Sequence, residues 1–325
     1  MIQISYPEDT ILEKFYNDYR SEILRRISVI KKQKKISWKN KSYSLTKKII
    51  KIIEKFEDEE YLKRIMLSPP NELVKIIQKY KQKYEEPRFK NIGIQFFYNK
   101  FFDEKGTIDI FLRSIFEKYG YDEIDKLQFI KNIDLKTCPY CNRQYTFTIN
   151  EEGSVKPEID HFYPKSLYPF LACSYFNLIP SCPTCNGFGA KESKDTYYNY
   201  PITNPYKVKK DEFKFSVSPN NINFFNVENR KYDFDSFEIE LYGNKANLEV
   251  FKLEALYKEH KDVVLELLIK KAYYPKSYVE ELKKFGFSED EIYRYLLCNY
   301  KSEEDLHKRP LSKLVKDISE ELGLV

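Results

Sequence analysis

Apolar residues recur at helical spacing along the first third of the chain. Ile11, Phe15, Ile23, Leu24, Ile27 and Ile30 make one stripe, and Ile49, Ile50, Ile52, Ile53 and Phe56 a second. Pro69-Pro70-Asn71 interrupts the pattern and suits the opening of a helix to about Tyr84, since proline in the first turn forfeits no hydrogen bond. A further helix is expected from Thr107, as N-cap, to Tyr119, with Gly120 as its stop. Residues 1–130 therefore read as a helical, basic N-terminal region.

The pattern changes near Lys136. Gln144 to Ile149 is rich in β-formers, Asn150-Glu151-Glu152-Gly153 reads as a turn, and Val155 to His161 is expected to return as the partner strand. Phe213 to Val217 and Phe237 to Leu241 show strand-like alternation, Gly243 closes the second, and helical signals resume from about Lys245. The expected class is α+β: a mainly helical scaffold with a β-containing centre at 131–204, then a mixed and finally helical region at 205–325.

An apolar fraction of 42% beside 32% charged residues is ordinary for a soluble protein. No apolar run is long enough for a membrane span, and none near the start resembles a signal peptide, so a cytoplasmic location is expected. The net charge of +5 matters less than its distribution. From Arg25 to Lys51 cations recur with no acid between them, and Trp38 and Tyr43 interleave with them. Such a run suits a phosphate backbone with base stacking; the solvated face of lysine-rich helices, or an acidic protein partner, would read the same way.

Of the six cysteines, four form two C-x-x-C pairs, Cys138/Cys141 and Cys182/Cys185. In a reducing compartment such pairs read as metal ligands, and four thiolates suit a closed, structural zinc site. The gap between the pairs far exceeds the roughly fifteen to twenty residues of a simple zinc ribbon, leaving room for a small folded unit clamped at both ends. Cys173 and Cys298 are read as buried small residues.

Between the pairs lies Glu158-Ile-Asp160-His161-Phe-Tyr-Pro164-Lys165-Ser166, followed by Phe176-Asn177 and Cys182-Pro-Thr-Cys185-Asn186. The set resembles the HNH endonucleases. The resemblance implies a ββα-metal core in which an Asp-His pair ends one strand, an Asn precedes the next, and a final Asn or His lies at the helix. Hydrolysis of a phosphodiester needs a base to activate water and a cation to neutralise developing charge. His161 has the ordinary pKa for that base, and Asp160 and Asn186 offer hard oxygens suited to Mg²⁺ or Mn²⁺. Asn177 is cast as the organiser of the loop that positions His161. Lys165, Lys191 and Lys194 are nearby cations without assigned roles. Asp160 and His161 are strand neighbours and face opposite sides unless the strand bends or ends, as Tyr163-Pro164 would allow. His260 and His307, the other two of the three histidines, lack this framing and read as packing or surface residues.

The wording around the motif, Cys138-Pro-Tyr-Cys141-Asn-Arg-Gln-Tyr145, Ser174-Tyr-Phe-Asn-Leu-Ile-Pro-Ser-Cys182 and Lys308-Arg-Pro-Leu-Ser-Lys-Leu-Val-Lys-Asp317, is similar to the HNH subunits of Septu-type anti-phage defence systems. That similarity implies nucleic acid, DNA above all, as substrate and an ABC/SMC-like ATPase as partner. Two other readings stay open: a zinc-dependent nucleic-acid-binding or assembly module without catalysis, and a stand-alone restriction nuclease.

Overall fold

The apolar stripes of the N-terminal region become helices in the computed structural model, which describes residues 1–84, 104–149, 156–220, 235–274 and 276–324. Helix α1 (Asp9–Gln33) buries Phe15, Tyr16, Ile23, Ile27 and Ile30 along one face and ends where Lys34 turns left-handed at φ 53°. Next come α2 (Lys47–Ile53), α3 (Glu59–Leu67) and α4 (Pro70–Tyr84). Thr46 and Asp58 cap α2 and α3 by accepting the amides of Ile49 and Tyr61, each relieving one of the orphan donors of a first turn. Helix α4 opens at the prolines as expected.

One part of this region is not helical. Lys35–Trp38 (β1) and Lys41–Ser44 (β2) form an antiparallel hairpin with Trp38 opposite Lys41. Its two loop residues, Lys39 and Asn40, both have positive φ (47° and 62°), the backbone of a tight turn whose twist matches the strands. The lysine-rich composition hides this hairpin, because charge carries no period.

Helix α5 (Glu104–Leu112) begins before Thr107, which lies inside it and is buried rather than capping it. The helix continues through a π-helical turn (Arg113–Lys118) and stops at Gly120 for a packing reason, not a left-handed backbone. A Cβ on Gly120 would lie 2.6 Å from the Phe116 carbonyl oxygen and 2.9 Å from Cys173 Cβ, so only hydrogen fits there. Helix α6 (Lys126–Ile133) follows, capped by Asp125.

Glu158–His161 (β3) does form a strand, but not with residues 144–149. Its partner is Leu178–Ser181 (β4), antiparallel, with Asp160 opposite Ile179 and His161 opposite Leu178. Residues 144–149 make an isolated bridge from Tyr145 to Thr137. The expected turn at 150–153 and the start of its return strand at Val155 lie outside the described residues. A short helix, α7 (Pro183–Asn186), follows β4 directly, giving the order strand, strand, helix.

Strands Lys214–Pro219 (β5) and Phe237–Tyr242 (β6) pair antiparallel as their alternation implies. Helices α8 (Lys245–Phe251), α9 (Leu253–Lys258), α10 (Lys261–Tyr273), α11 (Lys276–Lys284), α12 (Glu289–Leu297) and α13 (Ser312–Glu321) complete the chain. Helix α13 lies against β5, and its Asp317 accepts the Phe215 amide at 2.9 Å. The described core is continuous from Met1 to Ile318.

Residues 140–143 tie the C-terminal elements to the centre. Tyr140 stacks on Phe251 of α8 at 4.4 Å, and the Tyr257 hydroxyl of α9 donates to the Cys141 carbonyl. Arg143 donates to His260 at 2.9 Å. Asn142, left-handed at φ 51° and fully buried, donates to the carbonyl of Leu306 and to Thr137, while its Oδ1 accepts the Lys313 amide. The Leu311 amide bonds the Asn142 carbonyl. Residues 306–313, which overlap the segment Lys308 to Asp317 singled out in the sequence, are thus the part that docks on Asn142.

Asn142→Ala leaves buried partners on residues 306–313 unpaired, a loss of about 1–3 kcal/mol for each group left unsatisfied. A fall of at least ~2 kcal/mol in unfolding free energy is expected, with faster hydrogen exchange concentrated in residues 306–324. An unchanged urea midpoint would refute the clamp.

Candidate active site and metal centre

The two C-P-x-C-N segments fold as matching turns. The Asn142 amide bonds the Cys138 carbonyl at 2.7 Å, and the Asn186 amide bonds the Cys182 carbonyl at 3.1 Å. Each turn aims its two thiols the same way. The four Sγ atoms lie within 4.8 Å of one another, and all four residues are buried. A tetrahedral zinc with Zn–S bonds of ~2.3 Å requires sulfur–sulfur edges of ~3.8 Å. Cys141 Sγ and Cys182 Sγ are 3.8 Å apart. Hydrogen bonds from the other three thiols and the Arg143 amide favour a Cys141 thiolate, whereas burial drives Cys138 the opposite way. Four thiolates so close require a cation, and the residues fit zinc. Cys173 is buried away from the cluster, but Cys298, expected to be buried, is exposed at the left-handed end of α12.

Asp160 is buried at the middle of the unit. Its Oδ2 accepts from the Tyr140 hydroxyl at 2.6 Å and its Oδ1 from Lys191 Nζ at 2.8 Å. The same ammonium group donates to the His161 carbonyl at 2.6 Å, and Lys191 has no exposed surface. Lys191 is therefore no free phosphate contact but the internal counter-ion of Asp160, which resolves one of the three unassigned lysines. Asn186 lies on the outer side of α7, where its Nδ2 donates to Glu158 at 2.8 Å. Asp160 and Asn186 thus have separate partners.

His161 sits on the other side of β3. Its Nε2 is 3.1 Å from the Ala172 carbonyl oxygen, and its ring meets Tyr121 edge-on at 4.5 Å. A carbonyl only accepts, so Nε2 carries the hydrogen and Nδ1 the lone pair. Burial, then the charge of Lys165, pushes its pKa down to about 3, so the ring is neutral at pH 7. Lys165 and Lys126 lie 4.9 and 4.6 Å from the Tyr121 ring centre. Burial and neighbouring cations lower the Lys126 pKa. Tyr121 and Lys126 escaped the sequence reading, since both precede the cysteine frame and carry no motif. Lys194 turns back to the Ala190 carbonyl.

Asn177 holds the intervening loop. Its Oδ1 accepts the Tyr163 amide at 2.7 Å, and its Nδ2 donates to the carbonyls of Tyr163 and Leu171. These bonds fix the loop from Phe162 to Ser174, and with it the Ala172 carbonyl that orients His161. His260 and His307 take no part in the site; they bond Arg143 and the Lys136 amide.

The geometry defines a class first: a unit of strand, strand and short helix whose four clustered cysteines could hold a metal ion, with an Asp-His pair ending its first strand. A particular relative follows from comparison with characterised proteins. The chain is 41% identical over 69 residues to the Septu protein PtuB of Bacillus thuringiensis. The match spans 21% of this chain and 23% of that protein, so it relates a segment and not the whole of either. No family model matches the chain. No solved structure matches it. No helix among the described residues is long and apolar enough to cross a membrane.

Two outcomes follow. Elemental analysis of unchelated protein should find one zinc per chain, and Cys182→Ser should lose it together with the fold, because metal binding and folding share one free energy in such units. Lys191→Met strands a buried carboxylate and should cost about 3–5 kcal/mol, whereas Lys191→Met with Asp160→Leu should recover much of that loss. Equal stability of the single and double variants in urea unfolding would show that the pair is not coupled.

Proposed function

We propose that the chain is a metal-dependent HNH-type endonuclease that hydrolyses phosphodiester bonds, DNA being the expected substrate, within an anti-phage defence complex. The observation that carries this reading is the setting of His161: a neutral imidazole, tethered at Nε2, with its lone pair on Nδ1 and with Lys165 and Lys126 close by. In this role Nδ1 takes a proton from the attacking water while the lysines attract the phosphate. The charge of a phosphodiester beside Lys165 raises the pKa of His161 from its depressed resting value, strengthening the base when substrate is present. Asn177 acts by positioning the loop that orients His161.

Asp160 and Asn186 would hold the divalent ion. Their donor types suit a hard cation, but Asp160 already accepts from Tyr140 and Lys191 and Asn186 bonds Glu158, so an ion there would compete with the Lys191 ammonium. Bound there, Mg²⁺ or Mn²⁺ supplies charge neutralisation at the phosphate and leaving oxygen. The defence role is supported by the segment shared with the Septu protein; an ABC/SMC-like ATPase partner and a cytoplasmic location belong to the same proposal. A second reading, a zinc-stapled binding or assembly module without catalysis, is favoured by Lys191, which already neutralises Asp160.

Purified protein, alone and co-expressed with any ATPase encoded beside it, should cut plasmid or linear DNA in Mg²⁺ or Mn²⁺. His161→Ala should lower the rate by at least ~10²-fold, the lower end for loss of a general base, with zinc content unchanged. Products should carry 5′-phosphates. Near-normal cleavage by the variant would eliminate His161 as the base, and no cleavage by any preparation would favour the binding module.

A further inference from the structure

A cleft of about 660 Å³ opens beside the two residues that follow His161, within the ~300–1,000 Å³ typical of small-ligand sites. Phe162, Tyr163 and Ile202 lie along its apolar side, though only 2%, 4% and 6% exposed. Asn204, only 3% exposed, also lines it. The Asn204 Oδ1 accepts the Tyr206 amide at 2.9 Å, which fixes the orientation of the carboxamide. Its Nδ2 is thereby defined as a donor; it is buried behind the cleft surface and has no partner among the described residues. An unmet buried donor is destabilising, a loss that an acceptor atom reaching it would remove.

The rim is cationic. Lys207, Lys209 and Lys210 are exposed, and none is ion-paired among the described residues. Asp211 and Glu212 share the rim, but the Glu212 carboxylate is turned to hold the backbone. Its oxygens accept from the Thr203 hydroxyl at 2.6 Å and the Lys209 amide at 3.0 Å. Three lysines against two carboxylates leave the lip net positive.

We propose that this cleft binds a nucleoside phosphate: base and sugar against Phe162, Tyr163 and Ile202, an acceptor atom on Asn204 Nδ2, and phosphate on the lysines. A bare inorganic anion would leave the apolar wall unmatched. The ligand is either a free nucleotide or one unit of a polynucleotide strand. The site is defined by its own residues and does not depend on the nuclease reading.

The test uses the full chain carrying His161→Ala, so that binding is read without cleavage. Affinities for AMP, ATP, inorganic phosphate and a single-stranded oligonucleotide are measured by calorimetry across a salt series. The combined variant Lys207→Gln, Lys209→Gln, Lys210→Gln alters only exposed side chains and should fold normally. It is expected to weaken binding about tenfold or more and to lower the log–log salt slope by about one for each phosphate contact removed. Lysine-dependent binding of AMP or ATP would support the cleft with a free nucleotide as ligand. Lysine-dependent binding of the oligonucleotide alone would support it with a strand. Inorganic phosphate binding as tightly as AMP, no binding of any nucleotide probe, or equal affinities for the triple variant and its parent would overturn the proposal, whether or not the wild-type protein cuts DNA.

Discussion

Four buried sulfurs held within 4.8 Å of one another are stable as thiolates only with a cation between them, and much of this protein hangs on that constraint. The cluster joins residues 138–141 to residues 182–185, and so encloses β3, β4 and the loop between them. One side of the enclosed unit presents Asp160 to Tyr140 and Lys191; the other presents His161 to Tyr121 and the Ala172 carbonyl. The hydroxyl that meets Asp160 belongs to Tyr140, inside the first cysteine turn, so the metal site and the carboxylate are in direct mechanical contact. The N-terminal residues join the same anchor, with the Ile2 amide on the Pro139 carbonyl.

The unit also shows how one strand separates two environments. Adjacent residues on a strand point apart, and here that alternation is kept rather than broken. Asp160 lies in a closed internal ion pair, whereas His161 lies near Lys165 and Lys126, the latter bonded to the carbonyls of Tyr121, Asp122 and Ile124. Lys191 bridges the two sides through the Asp160 carboxylate and the His161 carbonyl. A buried pair of this kind contributes little net stability over apolar packing, but removing either partner is costly, so its value is in fixing geometry.

The sequence made some of this legible and not the rest, for identifiable reasons. The four cysteines were readable because metal ligands need fixed spacing in short turns, and Asn177 because a loop organiser must sit near the start of its strand. Helices α1 and α4 followed from periodicity and prolines. The β1–β2 hairpin was missed because its information lies in two left-handed residues, Lys39 and Asn40, inside a run that reads as charge. The partner of β3 was assigned to residues 144–149 by local β-propensity, but tertiary pairing with β4 prevailed, as propensity is a weak guide to which strands meet. Tyr121, Lys126 and the Lys191–Asp160 pair could not be read at all. They reach the site from separate elements, and nothing in their local sequence marks them.

Asn142 carries a kinetic implication. Its amide partner at Lys313 lies 171 residues away along the chain, and contacts of such separation form late because the loop they close is long. During synthesis the first cysteine turn emerges well before the segment that completes its surroundings. The contacts of Asn142 with residues 306–313 are therefore expected to close after β3 pairs with β4, whose partners lie far nearer in sequence.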